Sequence, residues 1–176
     1  MAYLIVGLGN PGEEYAKTRH NLGFIVLDAL VEQTAAIAIK TKYLTKLWGA
    51  RVGGATVTLM APQTFMNQSG QVVAPFMKTK GLLDDDLIVV HDDLDLPFGT
   101  IRVSENASAA GHNGVQSIID SIGSQNFFRV RIGIGRPEND MKIEDYVLAR
   151  FSAAEKKALP ELIERSIFTI ENIFKP

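Results

Sequence analysis

The 176-residue sequence contains no cysteine, so it can form neither a disulfide framework nor a thiolate metal site, and a thiol nucleophile is excluded. No apolar stretch approaches the ~18 uninterrupted residues of a membrane-spanning helix. The opening MAYLIVGLGN carries neither a basic lead nor a small-residue cleavage site after its apolar run. A soluble, cytoplasmic chain is expected. Basic excess is also missing: 18 Lys and Arg against 20 Asp and Glu leave a formal net charge of −2. That balance argues against a protein that coats nucleic acid, although it allows a local basic patch. Repeats, low-complexity tracts and a long heptad seam are absent too, and a monomer is expected. The rest of the composition is globular, with 46% hydrophobic and 22% charged residues, and the length suits one compact domain of roughly 100–200 residues.

Residues 2–6 (AYLIV) read as a buried strand that runs into a Gly- and Pro-rich loop from Gly7 to His20. Leu22, Ile25, Val26, Ala29 and Leu30 then follow helical spacing, with Asn21 placed to cap the helix. WGARVGGATVTLM gives two alternating runs around Gly53-Gly54, the signature of a two-residue hairpin. Val72, Val73, Phe76 and Met77 predict a helix whose start Pro75 limits. Leu87 to Val90 is an apolar strand ending in His91, Asp92 and Asp93, and a further strand is expected at Thr100 to Val103. Val115, Ile118, Ile119 and Ile122 set a helix closed by Gly123, after which RVRIGIG alternates as a strand. The segment after Pro137 is polar up to Ser152, where a capping box with Glu155 opens a last helix that Pro160 should kink or split. Strands alternating with helices, plus one hairpin, predict an α/β fold around a mixed sheet.

Several motifs carry chemistry, and each has a plainer alternative. Gly7-Leu8-Gly9-Asn10-Pro11-Gly12 matches the Gly-x-Gly-x-x-Gly dinucleotide fingerprint after a strand. Pro11 and the polar segment to Arg19 postpone the helix that this fingerprint should open at once, so turn-forming glycines are the better reading. The three histidines, His20, His91 and His112, each sit where a loop meets a strand or helix, as structural hydrogen-bonding residues or as a general base. His91-Asp92-Asp93-Leu94-Asp95 could hold magnesium or manganese in a phosphoesterase. Alternatively, Asp92 orients an imidazole while Asp93 or Asp95 caps a turn. Asn10, Asn67 and Asn113 lie in polar loops, where an amide can cap, hold a peptide carbonyl or donate toward an oxyanion.

Five blocks in order, GLGNPGEEYAKTRHNLGF (Gly7 to Phe24), PQTFMNQSG (Pro62 to Gly70), VVHDDLDLPFG (Val89 to Gly99), GHNGVQSI (Gly111 to Ile118) and RVRIGIGRP (Arg129 to Pro137), resemble the bacterial-type peptidyl-tRNA hydrolases. The resemblance implies one domain over residues 1–176, a mixed β-sheet flanked by helices, and hydrolysis of the ester joining peptide to tRNA without metal or cofactor. It makes His20 the general base, Asp92 the carboxylate that orients it, and Asn10 a catalytic neighbour that positions the substrate end. Tyr15, Phe65, Met66, Asn67, His112 and Asn113 would form the substrate cleft, Asn67 and Asn113 gripping the peptide main chain and Phe65 and His112 walling it. Tyr15, Arg102 and Arg131 would contact tRNA, and Arg136 is a further basic residue nearby. The implied partner is peptidyl-tRNA, with no membrane and no obligate protein partner. A non-catalytic RNA-binding protein on the same scaffold is the alternative. Two departures, a Ser104 to Ala110 loop without the relatives' glycine run and basic residue, and a shorter, less basic tail, bear on tRNA affinity rather than on the catalytic residues.

Overall fold

The computed structural model describes residues 2–175; Met1 and Pro176, part of the expected 1–176 domain, lie outside them. Seven strands form one sheet: β1 (Ala2–Gly7), β2 (Ile37–Ile39), β3 (Thr45–Val52), β4 (Ala55–Pro62), β5 (Leu87–Asp93), β6 (Ile101–Ser104) and β7 (Phe128–Gly133). Their order is β2-β3-β4-β1-β5-β7-β6. The four central strands are parallel, and β2–β3, β3–β4 and β6–β7 pair antiparallel, which gives the expected mixed sheet. Five helices flank it: α1 (Leu22–Gln33), α2 (Gly70–Lys80), α3 (Asn113–Ile122), α4 (Ile143–Leu148) and α5 (Ala153–Ile173).

Strand alternation sends Ile88 and Val90 to one face of the sheet and Leu87 and Val89 to the other. The first pair packs with α1, α4 and α5 through Val26, Leu30, Val147, Leu162 and Ile170. The second meets α2 and α3 through Val73, Phe76, Val115 and Ile118. Loops at the carboxyl ends of β1, β4 and β5 converge where β4 and β5 flank β1 on opposite sides and the chain crosses from one side to the other. Such a switch point is the usual place for a ligand in an open α/β sheet.

Helix α1 starts hard against this edge. The Leu8 N–H donates to Val90 O and the Phe24 N–H to Leu8 O, at 3.0 and 3.1 Å. Gly23 sits between these backbones, and a Cβ there would collide with Val90 O and the Leu8 backbone. Gly23→Ala must therefore push α1 off the sheet, and urea denaturation should show a loss of about 2 kcal/mol or more; an unchanged midpoint would mean that the helix is not seated this closely.

The Gly53-Gly54 hairpin forms as expected, with φ of 57° and 89° and Val52 opposite Ala55. Other details differ from the sequence reading. β5 continues beyond Val90, because His91, Asp92 and Asp93 keep their ladder with Arg131, Ile132 and Gly133 of β7. Asn21 occupies the N-cap position of α1 without a side-chain cap bond, since its amide is used elsewhere. Pro75 does not mark the start of α2 but lies inside it, and Pro160 neither splits nor ends α5. Each proline removes the partner of a carbonyl four residues back, at Gln71 and Lys156, and both residues are exposed, so water can take that place. The segment after Pro137 contains α4, six residues long, and an extra short strand, β2, stands at the sheet edge.

Candidate active site

The site is organised by a 3₁₀ turn, Arg19–Asn21, that joins the loop after β1 to α1. Its middle residue, His20, places Nδ1 at 3.1 and 3.0 Å from the two oxygens of Asp92, at the end of β5. Asp92 is 2% exposed. A carboxylate that close takes the Nδ1 proton as a hydrogen bond, so the lone pair of His20 lies on Nε2, the nitrogen free to accept a proton.

The expected cleft-wall residue His112 has a more specific place. It caps α3: its Nδ1 accepts from the N–H groups of Gly114 and Val115, at 3.1 and 3.3 Å. Its Nε2 is 3.0 Å from Asp92 Oδ1. With Nδ1 accepting from two backbone donors, the proton must sit on Nε2, and His112 is locked as a donor to Asp92. One carboxylate thus serves two imidazoles, whose ring centroids lie 4.9 Å apart.

Burial works against ionisation of Asp92, but His20 and His112 outweigh it and hold the carboxyl well below the usual carboxylate range. Burial likewise lowers the His20 pKa, yet the charge and hydrogen bond of Asp92 more than compensate and leave it above its ordinary value. His91 lies in the sheet beneath, where its Nδ1 donates to Asp92 O at 2.7 Å. Burial, with His112 beside it, holds His91 well below the imidazole range, so it stays neutral.

His112→Asn separates the two roles of His112, because a short amide restores a capping oxygen without reaching Asp92. We expect helix stability within about 0.5 kcal/mol of wild type. The His20 pKa, followed by NMR titration of the ring, should rise further as His20 gains sole use of the carboxylate; a fall would show that the two imidazoles do not share it.

Asn10 is fixed by a different set of bonds. Its backbone N–H donates to Asn21 Oδ1 and its carbonyl accepts from Asn21 Nδ2, each at 2.9 Å. Asn10 Oδ1 accepts from the Met66 N–H at 2.7 Å. This orients the amide, leaving Asn10 Nδ2 as its free donor. Met66 is buried and begins the 3₁₀ turn Met66–Gln68, on which Asn67 is exposed. Phe65, 55% exposed, meets Tyr15 edge-to-face at 6.5 Å. Asn113, the first residue of α3, is exposed and lines a cavity of about 330 Å³ with His20, His91, Asp92 and His112; Glu144 and Val147 of α4 form the facing wall.

The three aspartates of the His91 to Asp95 segment point to separate partners. Asp92 faces the histidines, Asp93 accepts from Arg131 Nε at 2.7 Å, and Asp95 accepts from Arg136 at 2.6 Å. They do not converge as a metal site would. His20, Asp92 and His112 do bring three ligand-type atoms within 4.8 Å of one another. Their nitrogens, however, are used as donors to the carboxylate, which is the wrong polarity for a cation. Arg102, exposed on β6 opposite Arg131, makes no ion pair among the described residues.

A buried carboxylate orienting an imidazole, with the Asn113 amide lining the same cavity and the Asn10 amide lining a separate one beside Asn21 and Phe24, suits attack by activated water on a carbonyl carbon. The peptidyl-tRNA hydrolase profile matches residues 4–175. The chain belongs to the peptidyl-tRNA hydrolase family. Among curated members of that family, the peptidyl-tRNA hydrolase of Geobacillus thermodenitrificans is 48% identical over 164 residues, 93% of this chain and 88% of the relative. That of Aquifex aeolicus is 47% identical over 164 residues, 93% and 85% of the two chains. The crystal structure of the Acinetobacter baumannii peptidyl-tRNA hydrolase superposes with a TM-score of 0.89 at 35% identity, covering 97% of this chain and 87% of that one.

Sequence reasoning named His20, Asp92 and Asn10, but missed that Asn21 clamps Asn10 and that α4 walls the cavity. The spacing of Ile143, Tyr146 and Val147 was the available signal for α4.

Proposed function

We propose that this member of the family hydrolyses the ester that joins a peptide to the terminal ribose of tRNA, with His20 as general base and no metal. The observation that carries the reading is the buried Asp92 facing Nδ1 of His20 at 3.0 Å, which leaves Nε2 as the base. Water gives a proton to His20 Nε2 as its oxygen bonds to the ester carbonyl carbon, and the carbonyl π pair moves onto oxygen. Asn10 Nδ2 is a free donor suited to that developing charge. When the tetrahedral species collapses, the C–O bond to the ribose breaks and the leaving oxygen takes the proton from the His20 imidazolium. The free peptide and tRNA depart, and His20 is neutral again.

In this reading Asn67 and Asn113 hold the peptide main chain, with Met66, Phe65 and His112 as cleft surface, while Tyr15, Arg102 and Arg131 meet the nucleic-acid end. Exposed amides and an aromatic pair of exposed Phe65 and half-buried Tyr15 suit those tasks. The chain would act as a cytoplasmic monomer without a protein partner or cofactor; no helix among the described residues is long and apolar enough to cross a membrane.

The direct test is release of tRNA from an N-acetylated aminoacyl-tRNA with chelator present. Hydrolysis supports the proposal, whereas binding without hydrolysis would favour the RNA-binding alternative. Arg102→Ala should raise KM with kcat maintained and reduce the slope of log K against log salt by about 1, as expected for one lost phosphate contact. An unchanged slope would remove Arg102 from the tRNA interface.

A further inference from the structure

Three consecutive residues of the Arg19–Asn21 turn reach three separate parts of the fold. His20 turns to Asp92 and Asn21 to Asn10. Arg19 points into the C-terminal segment instead, and only 7% of it is exposed. Its Nε and Nη2 donate to the two oxygens of Glu155, at 3.3 and 2.8 Å. Its guanidinium carbon stands 4.2 Å over the Tyr146 ring, and its Nη1 donates to Tyr146 O at 3.4 Å. The Arg19 backbone N–H donates to Ala149 O at 3.1 Å.

Both receiving residues are themselves held. Glu155 closes the capping box of α5, accepting from the Ser152 N–H and donating its own N–H to Ser152 Oγ. The Tyr146 hydroxyl donates to Ile134 O at 2.7 Å. Tyr146 belongs to α4, whose Glu144 and Val147 wall the cavity in front of His20. The fork on a carboxylate together with stacking on a ring is a geometry that lysine cannot reproduce.

We propose that Arg19 is a positioning residue for His20, fixing the turn that carries the imidazole to the helix that walls the reaction cavity through Glu155 and Tyr146. The inference rests on His20 acting as the base. A displacement of the turn by a fraction of an ångström lengthens the His20–Asp92 bond and misdirects Nε2, and catalysis is sensitive to errors of that size. Asp92 of β5 and His112 of α3 face His20 directly, and Asp93 and Glu144 line the same cavity. The Arg19 charge is spent on Glu155, so Arg19→Lys conserves charge and any change at His20 reports geometry.

The experiment compares wild type, Arg19→Lys and Glu155→Gln well below their melting temperatures. It follows the His20 ring by NMR titration, assigned through His20→Ala, together with kcat and KM for an N-acetylated aminoacyl-tRNA across pH. Both variants should move the His20 pKa down toward or below the unperturbed ~6.5, and the acid limb of the rate should follow. We expect kcat to fall by about 10- to 10²-fold with KM within about twofold. A lower Tm with wild-type titration and kcat would overturn the proposal and leave Arg19 a purely structural residue. Raised KM with kcat maintained would overturn it as well. If Arg19→Lys does not fold, Glu155→Gln carries the kinetic comparison, with kcat against KM as its readout, because its lost negative charge lowers the His20 pKa by itself. A wild-type chain that hydrolyses nothing would defeat the catalytic reading, while the ring titration would still decide whether Arg19 positions His20.

Discussion

His20→Ala is expected to lower kcat/KM for an N-acetylated aminoacyl-tRNA by about 10²- to 10⁴-fold, the usual contribution of a positioned general base. The loss should fall on kcat, because in the proposed mechanism His20 takes the proton on Nε2 and the surfaces proposed for peptide and tRNA lie on other residues. Folding should be little affected: the imidazole lines the cavity and belongs to neither core cluster. Removing it does leave Asp92 with one imidazole instead of two. That carboxylate is still held by His112, so the cost of an unpaired buried charge is only partly incurred. Steady-state kinetics beside a tRNA-binding isotherm makes the check. Activity within about 10-fold of wild type would show that another group takes the proton. Loss of binding in parallel with kcat would show that His20 serves the complex rather than the chemistry.

The elements visible in the sequence are those whose local pattern and tertiary environment agree. β1 and β5 are buried on both faces and read as unbroken apolar runs; α3 ends at Gly123, and the Ser152–Glu155 box opens α5. β2 left no such mark, since all three of its residues are exposed and no apolar face was needed. The two helical prolines set no boundary for a related reason: the carbonyls that lose a partner, at Gln71 and Lys156, belong to exposed residues where water can serve them, and α2 and α5 run on unbroken. In the site, residue type and loop position offered His20, His91 and His112, the aspartates after His91, and Asn10, Asn67 and Asn113 as candidates, and only the resemblance of the five blocks pointed to His20, Asp92 and Asn10 among them. What they bond to was not legible, because Arg19 and Glu155 are 136 residues apart, and nothing local to either announces the other. Asn21 shows the limit well. Capping is the statistical role of asparagine before a helix, yet its amide pairs with the Asn10 backbone and so helps to build the site.

Asp92→Asn should be nearly as damaging as His20→Ala, about 10³-fold or more in kcat, although the side chain keeps its shape. The argument runs through His112. Because its Nδ1 is occupied by two backbone donors, His112 can only donate from Nε2, and it needs an oxygen at the Oδ1 position. The substituted amide must therefore turn its oxygen to His112 and its NH₂ to the Oδ2 position, 3.0 Å from His20 Nδ1. That arrangement favours the tautomer in which Nδ1 accepts and Nε2 carries the proton, which removes the base without moving an atom of it. The pH profile adds a signed consequence. In wild type the rate should climb as pH rises through the His20 pKa, which Asp92 holds above the ordinary value. Without the carboxylate charge, burial is left as the larger influence and it lowers the pKa. The acid limb of the residual activity should thus move to lower pH while the plateau drops. Adding His112→Ala to Asp92→Asn frees the amide to reverse, so the double variant should recover part of the loss, about 10-fold, where independent effects would compound. A double variant slower than Asp92→Asn, with the acid limb unmoved in both, would mean that Asp92 acts on something other than the tautomer and charge of His20.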